Sequence, residues 1–369
     1  MASVFSCKNT NIAILLLSLS STAFALTLDD YKNPNPSCFN RATNSHLTVA
    51  DTHVHFRPFS GESVSYQELL KELRANGVIF AGVMGIGQRL RNDAPAHCES
   101  YRDCPGEAAT PTTKNDWVNA ANLVEFKAPG MELIYSMTFA DLAQPSDVAS
   151  TIALYDKEYP GMFKVMGESN VVKQALFPNH HVPVTTAQID SWASFMPTLQ
   201  ARGIPFLLHS DLGNDIGEPR KYLPLIEYAL KKYPSNKIVW LHLGISSEQK
   251  TIPPTEHIAI LTEMLQTYHN LYLDTSWGVL EENYFSKHRQ QYAAFINLYS
   301  ERIISGSDYV AYKNKAPYNY TGELKTASEM NKYVSDAAFR NIALGQTYLS
   351  LLGLTGTYNA PQICPAVAK

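Results

Sequence analysis

The chain is short of charge, and what it carries is nearly balanced. Its 369 residues include 30 Lys and Arg against 34 Asp and Glu, a formal net of −4. Without a basic excess, nothing draws it to nucleic acid or to an anionic membrane surface. A glycine-rich phosphate loop is also missing. Gly82, Gly85 and Gly87 show no G-x-G-x-x-G order, so a nucleotide cofactor is unsupported. No apolar run is long enough to span a bilayer. No repeat exists beyond a strand–helix period, and cysteine is scarce, with five in all. What is abundant is apolar residue, 45% against 17% charged, the composition of a chain that builds a core.

The apolar run Ile12 to Leu19 follows Lys8 and precedes Ala23-Phe24-Ala25, the layout of a cleavable export signal. Residues 1–25 are therefore read as a signal peptide. The mature protein, periplasmic or secreted, starts near Leu26 with a net charge of 29 − 34 = −5. Cys7 leaves with the signal. The four that remain suggest two disulfides in an oxidising compartment. Three pairings are possible. The simplest is Cys98–Cys104, closing one loop, with Cys38–Cys364 tying the chain ends together.

Strand-like runs are predicted at Leu47–Phe56, Gly77–Ile86, Met131–Phe139, Met162–Ser169, Pro205–Asp211, Lys237–Gly244, Leu271–Trp277 and Arg302–Tyr309. Amphipathic stretches lie between them: Tyr66–Ala75, Asp147–Tyr159, Ala187–Arg202, Tyr222–Tyr233 and Glu256–His269. Strands alternating with helices predict parallel pairing, and eight of them a closed (β/α)₈ TIM barrel, with an open doubly wound sheet as runner-up. One barrel domain is expected over residues 47–355, after an N-terminal extension at 26–46 and before a tail at 356–369. The long segment Gln88 to Thr113 after strand two reads either as a lid or specificity element or as a surface excursion stapled by a disulfide.

Barrel chemistry sits at the C-terminal strand ends. In order, those ends carry His53 with His55, then Glu168, His209, His242 and Asp308. His53 and His55 are two residues apart on a strand, so both project from one face, and imidazole suits zinc-like ions. Burying any such group unpartnered costs a few kcal/mol. A shared cation would satisfy all six.

These motifs resemble the amidohydrolase superfamily of metal-dependent (β/α)₈ hydrolases over nearly the whole mature chain. The resemblance rests on Asp51-Thr52-His53-Val54-His55, Gly167-Glu168, His209, His242 and Gly306-Ser307-Asp308-Tyr309. The last is similar to the branch that holds hydrolases alongside aromatic-acid decarboxylases. The resemblance implies that His53, His55, His209 and Asp308 hold one divalent ion. It gives Asp308 the water and its proton, and gives His242 a second ion or the substrate oxygen. Glu168 takes a position where the superfamily places a bridging ligand. Zinc leads, as one or two ions, with Mn, Fe and Ni open. Lys164, four residues deeper than Glu168, is expected inside the barrel. Asp211 is expected to support His209, Asp51 the barrel end, and His180-His181 to form a solvated turn. Arg89, Arg91, Trp277 and Tyr309 are candidates to line a substrate pocket.

The implied activity is hydrolysis of an amide, ester or lactone bond in a small molecule. The alternative is a metal-dependent decarboxylase of an aromatic or unsaturated acid. A deoxyribonuclease-like reading, which a strand-four glutamate would suit, is opposed by the negative charge. The expected partner is the small-molecule substrate, with no nucleic acid or membrane, and a homo-oligomer is compatible with the sequence.

Overall fold

A computed structural model describes residues 26–33, 35–42, 46–91, 95, 97–98, 100–313 and 319–365; the expected signal peptide lies outside them. Its strands are β1 (Ala50–His55), β2 (Phe80–Met84), β3 (Gln88–Leu90), β4 (Ala109–Pro111), β5 (Glu132–Met137), β6 (Phe163–Val172), β7 (Phe206–Ser210), β8 (Ile238–Trp240), β9 (Leu271–Asp274), β10 (Ile303–Ile304) and β11 (Tyr309–Val310). Nine of them form one parallel sheet in the order β10-β9-β8-β7-β6-β5-β2-β1-β11. Its two edges, β10 and β11, are halves of the run predicted as the eighth strand. The sheet thus curls until that run bridges β9 and β1. Thr52 N donates to Ser305 O at 3.1 Å and Asp308 N to His53 O at 2.9 Å. The fold is the expected TIM barrel.

The eighth strand splits because Asp308 takes φ 55°, which no extended strand allows. The loop after β2 is less irregular than predicted: β3 and β4 pair as an antiparallel hairpin around the Cys98–Cys104 disulfide.

Among the helices, Tyr66–Ala75 has the predicted bounds. Its N-cap Ser65 accepts from Glu68 N, and Leu69, Leu70 and Leu73 face the core at helical spacing. The helix predicted over Ala187–Arg202 is broken into Thr186–Ser191, a 3₁₀ turn and Met196–Ala201. Pro197 explains the break, since it suits only the first turn of a new helix. The helix Lys114–Glu125 escaped the sequence reading. Its inward face is polar, with Asn115, Asp116 and Asn119 buried, so it lacks the apolar stripe that periodicity detects.

The flanking segments pack onto the barrel. Buried Tyr31 donates to Leu344 O at 2.8 Å, and Tyr358 and Ala360 join the same core. The Cys38–Cys364 disulfide and a Phe39–Ile363 bridge join the two ends of the described chain. Among the described residues, no helix is long and apolar enough to cross a membrane.

Candidate metal centre

Four side-chain atoms converge from the end of β1, from within β6 and from the β10–β11 turn. His53 Nε2 and His55 Nε2 lie 3.1 Å apart. Glu168 Oε2 is 3.4 Å from the first and 3.1 Å from the second. Asp308 Oδ1 is 3.4 and 3.2 Å from the same pair. Atoms bonded to one zinc-like ion at about 2.0–2.2 Å stand roughly 3.3–3.6 Å apart in a tetrahedron. The spacing fits.

The hydrogen-bond partners assign the protons. His55 Nδ1 faces Gly85 O at 2.6 Å, and a carbonyl only accepts, so Nδ1 carries the hydrogen. His53 Nδ1 faces Asp274 Oδ2 at 3.1 Å. Ser276 Oγ donates to that same oxygen, so Asp274 is an acceptor and His53 Nδ1 a donor. Both Nε2 atoms of the neutral rings are then bare lone pairs beside two carboxylate oxygens. A cation resolves that repulsion. In its place, protons would have to fill the gap. Burial opposes this, but Asp274, Glu168 and Asp308 outweigh it at His53, and Asp308 and Glu168 at His55, raising both imidazoles above their ordinary range. A metal would displace those protons on binding.

Neither carboxylate loses its charge. Burial raises Glu168, yet Lys173, His209 and His53 hold it well below the usual range. Asp308 is lowered by His55, His53 and His242 against the same penalty. Backbone placement matters too. Asp308, His242, Leu243 and Trp277 all have positive φ, a costly conformation for non-glycine residues that clusters at functional sites. Asp51 anchors the Asp308 turn, accepting from Ser307 N at 2.8 Å and Tyr320 OH at 2.9 Å. Gly167 has φ 113°, and a Cβ there would collide with the Leu207 carbonyl.

His209 stands one step away. Its Nε2 meets Asp211 Oδ1 at 2.9 Å, the support that the sequence suggested. Its Nδ1 lies 2.7 Å from Glu168 Oε1 without the alignment of a hydrogen bond. His242 is driven down to about 4 by burial, with His209 and His53 adding to the shift against Asp308. Its Nδ1 faces Ser276 Oγ at 3.0 Å and Ser276 O at 3.3 Å, which places the proton there and leaves Nε2 bare. It is therefore a ligand or proton acceptor, not a donor that polarises an oxygen. One atom each from His53, Glu168, His242 and Asp308 also falls within 4.8 Å, so His242 borders the same space.

The family model described as Amidohydrolase matches residues 164–341, which include Glu168, His209, His242 and Asp308. Over that stretch, a little under half of its length, the chain is similar to the amidohydrolase family. A dihydroorotase from Saccharomyces cerevisiae, solved with 5-fluoroorotic acid, superposes with a TM-score of 0.52 at 12% identity, over 84% of this chain and 85% of that one. A dihydroorotase from Campylobacter jejuni gives 0.48 at 13%, over 84% and 86%. A zinc-bound amidohydrolase from Burkholderia multivorans gives 0.45 at 15%, over 68% and 81%. At such identities the yeast likeness speaks to the fold alone. No curated protein matches the chain in sequence.

The centre opens into a cleft of about 640 Å³ lined by Phe59, Lys173, Trp277, Val279 and Tyr312, among others. Of the pocket candidates, Trp277 is there. Tyr309 is not, because it packs against Tyr320 while the next residue of β11, Val310, lines the cleft. Arg89 sits on the β3 hairpin with its Nε near Phe59 O, and neither it nor Arg91 lines the cleft. Ser100, Arg102 and Asp103 of the long loop do. Lys164, expected inside the barrel, is exposed. Register shifts along β6 break the two-residue alternation that put it on the Glu168 face. His181, expected in a solvated turn, is buried. Asp274, Ser276 and Lys173 were missed. Asp274 ends an apolar run as the others do, and that signal could have found it.

Proposed function

We propose that this chain is an exported hydrolase that uses a bound divalent ion, zinc foremost, to cleave an amide, ester or lactone bond in a small molecule. The similarity of residues 164–341 to the amidohydrolase family supports an enzyme of the metal-dependent hydrolase type. The observation that carries the reading is the pair of bare Nε2 atoms facing two ionised carboxylate oxygens at 3.1–3.4 Å. When bound there, such an ion makes hydroxide available near neutral pH and acts as a Lewis acid on the scissile oxygen.

The protein's own groups do the rest. Asp308 lines the cleft and stays ionised, so it accepts the proton of the attacking water and returns it to the leaving group. His242 stays neutral with a bare Nε2 toward the centre. Trp277 packs on His242 with ring centroids 5.3 Å apart and forms an apolar wall for the substrate. The two disulfides suit an oxidising compartment and support export.

The test is elemental analysis of protein purified without chelator, together with turnover on panels of amides, esters and lactones. Asp308→Asn should keep the fold and lose about 10²–10⁴-fold in rate. His53→Ala should lose the metal as well. A wild-type protein without metal, or turnover that survives chelation, would overturn the reading. Release of carbon dioxide in place of hydrolysis would replace it with decarboxylation.

A further inference from the structure

We propose that the Lys173 ammonium takes the place of a second metal ion on Glu168, so that this centre holds one ion. The proposal rests on the metal centre described above. The two oxygens of Glu168 face different ways. Oε2 joins the His53, His55 and Asp308 cluster. Oε1 lies 2.6 Å from Lys173 Nζ and 2.7 Å from His209 Nδ1. A bridging carboxylate would have to give Oε1 to the second ion.

The other donors for such an ion are in place. His209 meets Asp211 through Nε2, and its Nδ1 is turned to Oε1. His242 borders the neighbouring His53, Glu168 and Asp308 cluster with its own Nε2 bare. The position lacks room for more positive charge. Lys173 is only 12% exposed and lies over the Phe59 ring at 5.7 Å. Its backbone directly follows the last residue of β6 and its carbonyl accepts from Leu176 N at 2.9 Å. The ammonium is thus held by the same strand that presents Glu168. Two cations on one buried carboxylate oxygen repel strongly, since burial weakens screening.

Counting ions decides the matter. Wild type, Lys173→Met and Lys173→Arg are loaded with Mn(II), dialysed and measured by elemental analysis and electron paramagnetic resonance. Wild type and Lys173→Arg should hold one ion per chain and give an uncoupled signal. Lys173→Met should hold two and give a spin-coupled one. Two ions in the wild type would overturn the proposal without any variant. So would Lys173→Met with wild-type circular dichroism and one ion. If Lys173→Met fails to fold, Lys173→Gln is judged by the same count. A wild type that holds no ion would bring down the metal reading itself, a separate result.

Discussion

His53 directs Nδ1 at Asp274 Oδ2 across 3.1 Å, with both side chains all but closed to solvent. The bond fixes the tautomer that leaves Nε2 bare, and a carboxylate behind an imidazole also raises its basicity toward a metal. Ser276 ties the arrangement to His242, since its Oγ lies 3.1 Å from His53 Nδ1 and 3.0 Å from His242 Nδ1.

Asp274→Asn should therefore weaken metal binding by about 10–100-fold while leaving the four converging atoms in place. Competition against a chelator of known affinity measures this. An unchanged affinity would show that the pair does not tune the site.

His257 supports the centre from behind. It is fully buried, bonded through Nε2 to Leu243 O at 2.9 Å and through Nδ1 to Tyr292 OH at 2.8 Å. The Leu243 carbonyl belongs to the left-handed turn that carries His242. Burial pushes His257 down to about 4, against the opposing bond to Leu243. As pH falls below about 6.5 the unfolded chain gains a proton there that the folded chain refuses until about 4. Stability from this group is thus complete above about 6.5 and is lost as the pH drops through that window. Melting temperatures of wild type and His257→Gln between pH 7 and 4 should converge as the pH falls. Parallel curves would exclude the effect.

The disulfides should differ in weight. Cys38–Cys364 spans 326 residues and Cys98–Cys104 only 6, and a longer closed loop removes more freedom from the unfolded chain. Replacing both cysteines of the long bridge by serine should destabilise by roughly 2–5 kcal/mol, and the short bridge less. Denaturant midpoints check the order. The short bridge should instead affect turnover, because Arg102 and Asp103 inside it line the cleft.

Much of the site was legible because it is written locally. His53 and His55 share a face by the alternation of one strand, and Glu168, His209, His242 and Asp308 each end an apolar run. Lys164 was misplaced because the alternation fails where β6 shifts register against its neighbours. Helix Lys114–Glu125 was missed because its buried face is polar. Asp116 there accepts from Thr138 N and Oγ at 2.7 and 2.6 Å, contacts that hydrophobic periodicity does not see.

The sequence by itself pointed to the barrel, favoured the simplest of three cysteine pairings, the one that the structure joins, and marked residues at the ends of apolar runs. Their types and two-residue spacings follow from backbone geometry that every strand obeys. Only the tertiary structure decided that Glu168, not His209, completes the four-atom cluster, that Lys173 lies on its other oxygen, and that Asp274 and Ser276 set the histidine protons. Those relations join distant residues, 221 positions apart between His53 and Asp274 and 223 between His53 and Ser276. They depend on strand register and on positive-φ turns at His242 and Asp308. Register and turn are settled by pairing with distant strands, which no local pattern records.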